Sequence, residues 1–284
     1  MSKKNRAGQY LFAPYGPILD TPQSLKAALD ELRSLAQTER AGWIKLEPVI
    51  IKGQLDGLRK GLQAERSIKA GRDIEPSLTR IVDISPPEEE LLATVSQSTR
   101  SVIRKNQREN ILTFKTSTNA ADIKLFTHML DTVADRRGIG FFPQKYFEDQ
   151  AKLLMPAKMM YLELAYDGQK PVGGALIHDY GQLSNYTFAA ALPESHKKSV
   201  AALLLWQVMV NAKARGMKTI DLYGSAPDDA LPSHPWYGLS QNKRKFGGQL
   251  SSTVGTWDVP ITNKYWLYRW AQKAHKIKRT LKRR

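Results

Sequence analysis

With 284 residues, 42% of them hydrophobic and 25% charged, the chain has an ordinary globular composition and enough length for one large domain or two smaller ones. It contains no cysteine, which excludes disulfides, thiolate catalysis and Cys-ligated zinc; its five histidines show no H-x-x-x-H or comparable spacing, so no metal and no cofactor is expected. A formal charge of +16, from 43 Lys+Arg against 27 Asp+Glu, favours a polyanionic partner: nucleic acid, anionic lipid or a phosphorylated substrate.

In chain order, QYLFAPYGPIL reads as a strand, with a turn at Tyr15-Gly16-Pro17 where Gly16 allows close backbone approach. Pro22 to Arg40 follows as a helix, because Leu25, Ala28, Leu29, Leu32 and Leu35 recur at helical spacing. WIKLEPVI is the next strand. Then come the strand LTRIVDI, one helix from about Pro87 to Glu109, the strand ILTFKT and a helix from about Ala120 to Arg137. A short helix after Pro143 leads to the strands MMYLELAY and PVGGALIHDY, joined by a turn at Asp167-Gly168.

QLSNYTFAAAL, the helix Ser199 to Arg215 stopped by Gly216, and MKTIDLYG repeat the strand–helix–strand order of the first segment, a weak internal duplication. HPWYGLSQNKRKFGGQL reads as a basic loop, and QLSSTVGTWDV as a strand. Strands mixed with crossover helices predict an α/β (α+β) fold with a partly antiparallel sheet in each half. The second copy is preceded by a hairpin that the first lacks, so the first domain is expected to be N-terminally incomplete. From Lys264 to Arg284 there are nine Lys/Arg and no acid, with Tyr265, Trp266, Tyr268 and Trp270 at the head and Ile277 and Leu281 further on. Such a segment suits an anionic membrane surface, or equally a helix docked on the first domain. No apolar run reaches the roughly 18 residues of a membrane span, and no signal peptide precedes Tyr10; a cytoplasmic protein, at most peripheral to the inner face of the membrane, is expected.

In order and spacing, FAPYGPIL, WIKLEP, VDIS with STRSVIRKNQREN, DRRGIGFFPQKYF, PVGGALIHDYG, DLYGS and YGLSQNKRKFGG together resemble the Fem-type (FemABX) peptidyltransferases, non-ribosomal aminoacyltransferases that build peptidoglycan cross-bridges. The resemblance implies two GNAT-like acyltransferase domains packed together. They are expected at 1–118 and 119–259, with the C-terminal helix 260–284 joined to the first. It implies a monomer that takes an amino acid from aminoacyl-tRNA and attaches it to a side-chain amine of a peptidoglycan precursor such as lipid II.

Carried over residue by residue, the resemblance makes Lys243 the lysine that contacts the acceptor end of the tRNA and stabilises developing negative charge. Asn242 stands where the family usually has an aromatic, and Phe246 matches a second aromatic that packs in the core. Glu47 matches a carboxylate near the acceptor amine; read from its own residues, it is a strand-end glutamate, solvated or salt-bridged. Tyr146 matches a tyrosine lining the precursor site, and Phe188 stands where another tyrosine is common. The arginine expected four residues before Tyr146 is Phe142, so Lys145 or Arg137 is left to supply the charge.

Arg244 and Lys245 are candidate phosphate contacts. Arg100, Arg104 and Arg108, with Lys105, form a basic helix face that either grips phosphates or is simply solvated. A coenzyme A loop would read Q/R-x-x-G-x-G/A and open a helix; Arg244-Lys245-Phe246-Gly247-Gly248 begins that pattern and Gln249 breaks it, so CoA is not the expected donor. The alternatives are a non-catalytic tRNA- or RNA-binding protein and a GNAT-fold aminoacyl-tRNA transferase with another acceptor.

Overall fold

A computed structural model describes the chain except residues 6–7, 52–53, 194–197 and 282–284, and except the side chains of residues 5, 137 and 275–281. It divides into two compact units, Met1–Ser77 with Ser252–Arg284, and Leu78–Ser251.

In the first unit, β1 (Ser2–Asn5) pairs antiparallel with β2 (Gly8–Ala13). The pair β3 (Ile18–Leu19), a 3-10 turn at Pro22–Ser24 and helix α1 (Leu25–Thr38) then lead to β4 (Trp43–Leu46), which lies parallel to β2. β5 (Val49–Ile50) pairs with β3, α2 spans Leu55–Ala64, and β6 is Ile68–Lys69. Leu25, Leu29 and Ala36 of α1 and Leu58 and Leu62 of α2 are buried with Leu11, Ile44, Leu46 and Trp257 in one apolar core. α2 follows the i, i+3, i+7 spacing of Leu55, Leu58 and Leu62, a short signal diluted by two glycines. At Gly16 a Cβ would come no nearer than 3.6 Å to another atom, so no close approach requires glycine there.

The second unit begins with β7 (Leu78–Asp83), followed by α3 (Glu88–Thr94), α4 (Gln97–Glu109) and β8 (Thr113–Ser117). The single helix expected over 87–109 is broken. Val95 is extended (φ −72°, ψ 144°), and the Ser96 amide donates to the carbonyl of Lys245 at 2.7 Å. After α5 (Ile123–Arg137) and α6 (Gln144–Leu154) come β9 (Met160–Asp167), β10 (Lys170–Tyr180) and β11 (Leu183–Ala191). α7 (Val200–Ala214) crosses over to β12 (Thr219–Gly224), parallel to β11. The two segments with matching sequence layouts are therefore both β-α-β crossovers between parallel neighbours.

The stretch read as a loop contains a helix, α8 (Tyr237–Arg244). The stretch read as one strand is two, β13 (Gln249–Ser252) and β14 (Trp257–Pro260), in different sheets. α9 (Lys264–Leu281) closes the chain in the first unit.

The first unit's sheet runs β1-β2-β4-β14-β6, and the second unit's runs β13-β7-β12-β11-β10-β9-β8. The division between units falls after Ser77, not after residue 118, because β7 pairs with β12 and α3 and α4 bury Leu91, Leu92 and Ile103 with α7. The seven-stranded sheet is covered on both faces. Ala165, Ala175 and Ile177 pack toward α4 and α7, and Leu162, Leu164 and Leu176 toward α5 and α6.

Candidate functional site: a lysine at a strand divergence

The parallel ladder between β11 and β12 ends after three pairs, at Asn185↔Asp221. A bulge at Leu176/Ile177 shifts β10 against β11, so Tyr186 joins the α7-side core while Phe188, two residues on, joins the α5–α6 side. β12 turns away through Tyr223, in the left-handed region at φ +64°, and next pairs at Gly224↔Thr79 of β7. Where the two strands part, a cavity of about 160 Å³ opens, lined by Tyr186, Ala189, Ala190 and Ala191 of β11, Ala201, Leu204 and Leu205 of α7, Val133 and Arg136 of α5, and Leu239, Asn242 and Lys243 of α8.

α8 is held at this opening by polar ties to the chain leaving β12. The Ala226 amide donates to the Ser240 hydroxyl at 2.7 Å, and Ser240 donates to the Trp236 carbonyl at 2.8 Å. Lys243 Nζ donates to the carbonyls of Gly224 (2.6 Å) and Tyr223 (3.3 Å). The Arg244 guanidinium contacts Asp228 at 2.8 Å and donates to the Pro227 carbonyl, while Arg80 donates to the carbonyls of Gly247 (3.3 Å) and Gly248 (3.0 Å) and pairs with Asp228. Phe246, fully buried, anchors the far end in the core. Arg244 to Gly248 thus close one helix and enter β13; they do not open a helix onto a phosphate site.

Lys243 is buried, 5% exposed. Desolvation pulls its pKa from 10.5 down to about 8, against an opposing pull from Asp221. Asp221 is itself pushed above the usual carboxylate range by burial, with the Tyr223 amide (2.6 Å), Thr79 and Lys243 acting against the rise. The two Lys243 carbonyl bonds leave a third N–H donor for a ligand. Tyr186, 9% exposed, also lines the cavity; burial raises its pKa, and its hydroxyl has no hydrogen-bond partner among the described residues. An alanine-walled space with a buried ammonium and a phenol at its wall can stabilise charge that develops on a bound carbonyl oxygen.

The basic run 243–245 therefore splits by position. Lys243 faces inward, Arg244 is tied to Asp228, and Lys245 is exposed beside a second cavity of about 350 Å³ that it lines with Ser98, Thr99 and Asn242. On α4, Thr99, Ile103 and Asn106 are buried, and Arg104 and Arg108 are exposed on the outer face. Arg100 donates to the Ala93 carbonyl at 2.6 Å, and Lys105 lies 3.8 Å from Glu109.

Tyr146 and Phe188 are brought together by intervening rings. Tyr146 stacks on Phe142 at 4.2 Å between centroids, and Phe188 meets Phe142 and Phe147 edge-on at 6.2 and 5.1 Å. Phe142, where an arginine was expected, is thus a stacking partner, and Lys145 is engaged by Asp149 at 2.7 Å. The Arg137 side chain lies outside the described residues.

Glu47 belongs to the first unit and follows β4. It is buried, 3% exposed, so it is neither a solvated strand end nor part of an ion pair among the described residues. Oε1 accepts from the Thr256 hydroxyl (2.6 Å) and the Glu75 amide (2.9 Å), and Oε2 from the Tyr15 amide (3.4 Å). The carboxylate thereby ties three chain segments of its own unit. Beside it, Lys45 pairs with Asp258, which accepts from the Tyr265 hydroxyl at 3.3 Å. Among the described residues no group of His, Asp or Glu is placed to hold a metal ion.

The family of acetyltransferase (GNAT) domains matches residues 93–230. No curated protein matches the sequence. Among solved structures, FemX superposes with a TM-score of 0.78 at 19% identity, over 95% of this chain and 85% of FemX. L-PGS from Bacillus licheniformis gives 0.55 at 12% identity, over 86% of this chain and 76% of its own. A tandem GNAT protein from the clavulanic acid biosynthesis pathway gives 0.51 at 12% identity, over 83% and 69%. The divergence of β11 and β12, the helix that crosses between them and the cavity at their split all lie within or beside the matched residues 93–230. Residues 93–230 thus match an acetyltransferase (GNAT) domain, and the chain as a whole has a fold similar to that of FemX.

Proposed function

We propose that the protein is an aminoacyltransferase that moves an amino acid from aminoacyl-tRNA to the side-chain amine of a peptidoglycan precursor. The observation that carries this reading is Lys243, a buried cation with a pKa of about 8 at the wall of an apolar cavity where the GNAT-type strands part. The likeness to FemX supports it, as does the net charge of +16, which suits tRNA phosphates and a pyrophosphate-bearing precursor.

The reaction is an aminolysis. The acceptor amine attacks the ester carbonyl carbon, a C–N bond forms, and negative charge builds on the carbonyl oxygen. The C–O bond to the terminal ribose then breaks, and that oxygen leaves with a proton while the amine loses one. At pH 7 Lys243 is about ten parts ammonium to one part amine, so its role is to donate a hydrogen bond to the oxyanion. Tyr186 lines the same cavity, and we assign it the role of holding the acyl group.

The test is incubation with labelled Ala-, Ser- or Gly-tRNA and a pentapeptide precursor. Transfer of label is expected, with Lys243→Ala lowering kcat about 10²- to 10³-fold and leaving tRNA affinity near the parent's. No transfer from any donor would sink the assignment, and tRNA binding without transfer would point to a non-catalytic RNA-binding protein.

A further inference from the structure

α9 has two unlike faces. Its inner face is docked on the first unit. Tyr265 is fully buried with its hydroxyl on Asp258, Tyr268 stacks on Trp43 at 4.6 Å, and Arg269 donates to the Lys69 carbonyl at 3.3 Å. Its outer face presents Trp266, Leu267 and Trp270, which are 56%, 69% and 74% exposed. Trp270 lies one helical turn from both Trp266 (i, i+4) and Leu267 (i, i+3), which puts the three on one side of the helix. The exposed Lys264 and Lys273 flank them, and no acid occurs anywhere from Lys264 to Arg284. Packing within the first unit buries Tyr265 and takes up Tyr268; Trp266 meets the Tyr265 ring edge-on at 5.2 Å, yet both outer indoles stay more than half exposed.

We infer that the outer face of α9, built on Trp266, Leu267 and Trp270 with Lys264 and Lys273 at its margins, docks the protein onto an anionic phospholipid bilayer. Indole rings favour the headgroup level, where the ring is buried and the N–H stays hydrated, and flanking lysines meet anionic lipid. The alternative of an RNA partner fits the lysines and, by stacking, the indoles. It offers nothing for Leu267, which has no π face. The helix lies in the interface and does not cross it: among the described residues no helix is long and apolar enough to span a membrane. This inference is independent of the transfer chemistry, since docking is read without any substrate.

The experiment is co-sedimentation of the full chain with vesicles of phosphatidylglycerol and phosphatidylcholine, or of phosphatidylcholine alone, with tryptophan fluorescence recorded in parallel. The expected result is partitioning onto the anionic vesicles with a blue-shifted emission. Trp266→Ser/Trp270→Ser is expected to lower it at least tenfold or so, and Lys264→Gln/Lys273→Gln about fivefold per lysine. The altered side chains are exposed, so both variants are expected to melt like the parent. The inference is overturned if the parent fails to partition, or if the double tryptophan variant partitions equally well. It is overturned too if that variant loses tRNA affinity or self-association while its vesicle binding is unchanged.

Discussion

Replacing Lys243 by Met removes the one buried ammonium at the cavity wall, and the consequence depends on pH in a way the structure sets. In the unfolded chain the lysine titrates at its ordinary 10.5, and in the folded protein at about 8. Between these values the unfolded state holds more protons than the folded one, so stability rises with pH; below about 8 both states are charged and the full cost of burying the ammonium is felt. Going from about pH 7 to about pH 9.5 should therefore raise the parent's unfolding free energy by roughly 2 kcal/mol relative to Lys243→Met. Urea unfolding of both proteins across this range, compared as a difference, cancels every group they share. Parallel curves would refute the reasoning, because Lys243 would then titrate alike in both states and its ammonium would not be desolvated in the fold.

Glu47→Ala leaves the Glu75 amide and the Thr256 hydroxyl without their acceptor, which should cost about 2 kcal/mol or more in a thermal melt. A variant that melts like the parent yet loses transfer would instead make the carboxylate part of the chemistry. Gly248 sits at φ +76°, and a Cβ there would lie 2.4 Å from the Ile81 carbonyl oxygen. Gly248→Ala should lower the urea midpoint by the equivalent of about 2 kcal/mol, and an unchanged midpoint would mean that this turn is not as constrained as its geometry indicates. Tyr186→Phe removes a hydroxyl that bonds no described residue, so the melt should stay unchanged while KM for the aminoacyl donor rises; a lower melting temperature with unchanged kinetics would assign the hydroxyl to the scaffold.

Much of the fold is legible because its elements are locally consistent. Leu25, Leu29 and Leu32 mark α1 by spacing, and the apolar run of α7 is buried on nearly all sides. Both are flanked by strands whose sequences already suggest pairing. β1, with the sequence SKKN, is not legible: it is an edge strand without apolar alternation, and its partner is what makes it a strand. The candidate site divides in the same way. The resemblance to Fem-type proteins points to Lys243 and to the ring pair Tyr146 and Phe188, and Phe246 is buried as expected. Tyr186, Arg136 and Asp221 escape notice because nothing near them in sequence distinguishes them from strand and helix residues.

Composition and periodicity determine that this is a cysteine-free, basic α/β protein with two β-α-β crossovers, since charge and side-chain period are properties of the chain at short range. Tertiary structure decides what contacts between distant residues create. β7 belongs with β12, which moves the division between units to Ser77. Helix 87–109 breaks where Ser96 bonds Lys245. Of three consecutive cations one is driven inward, because α8, which no local signal announced, turns Lys243 toward the carbonyls of Tyr223 and Gly224 and leaves Lys245 in solvent. A lysine's chemistry depends on how much water its ammonium keeps, and that is settled by residues far away in the chain.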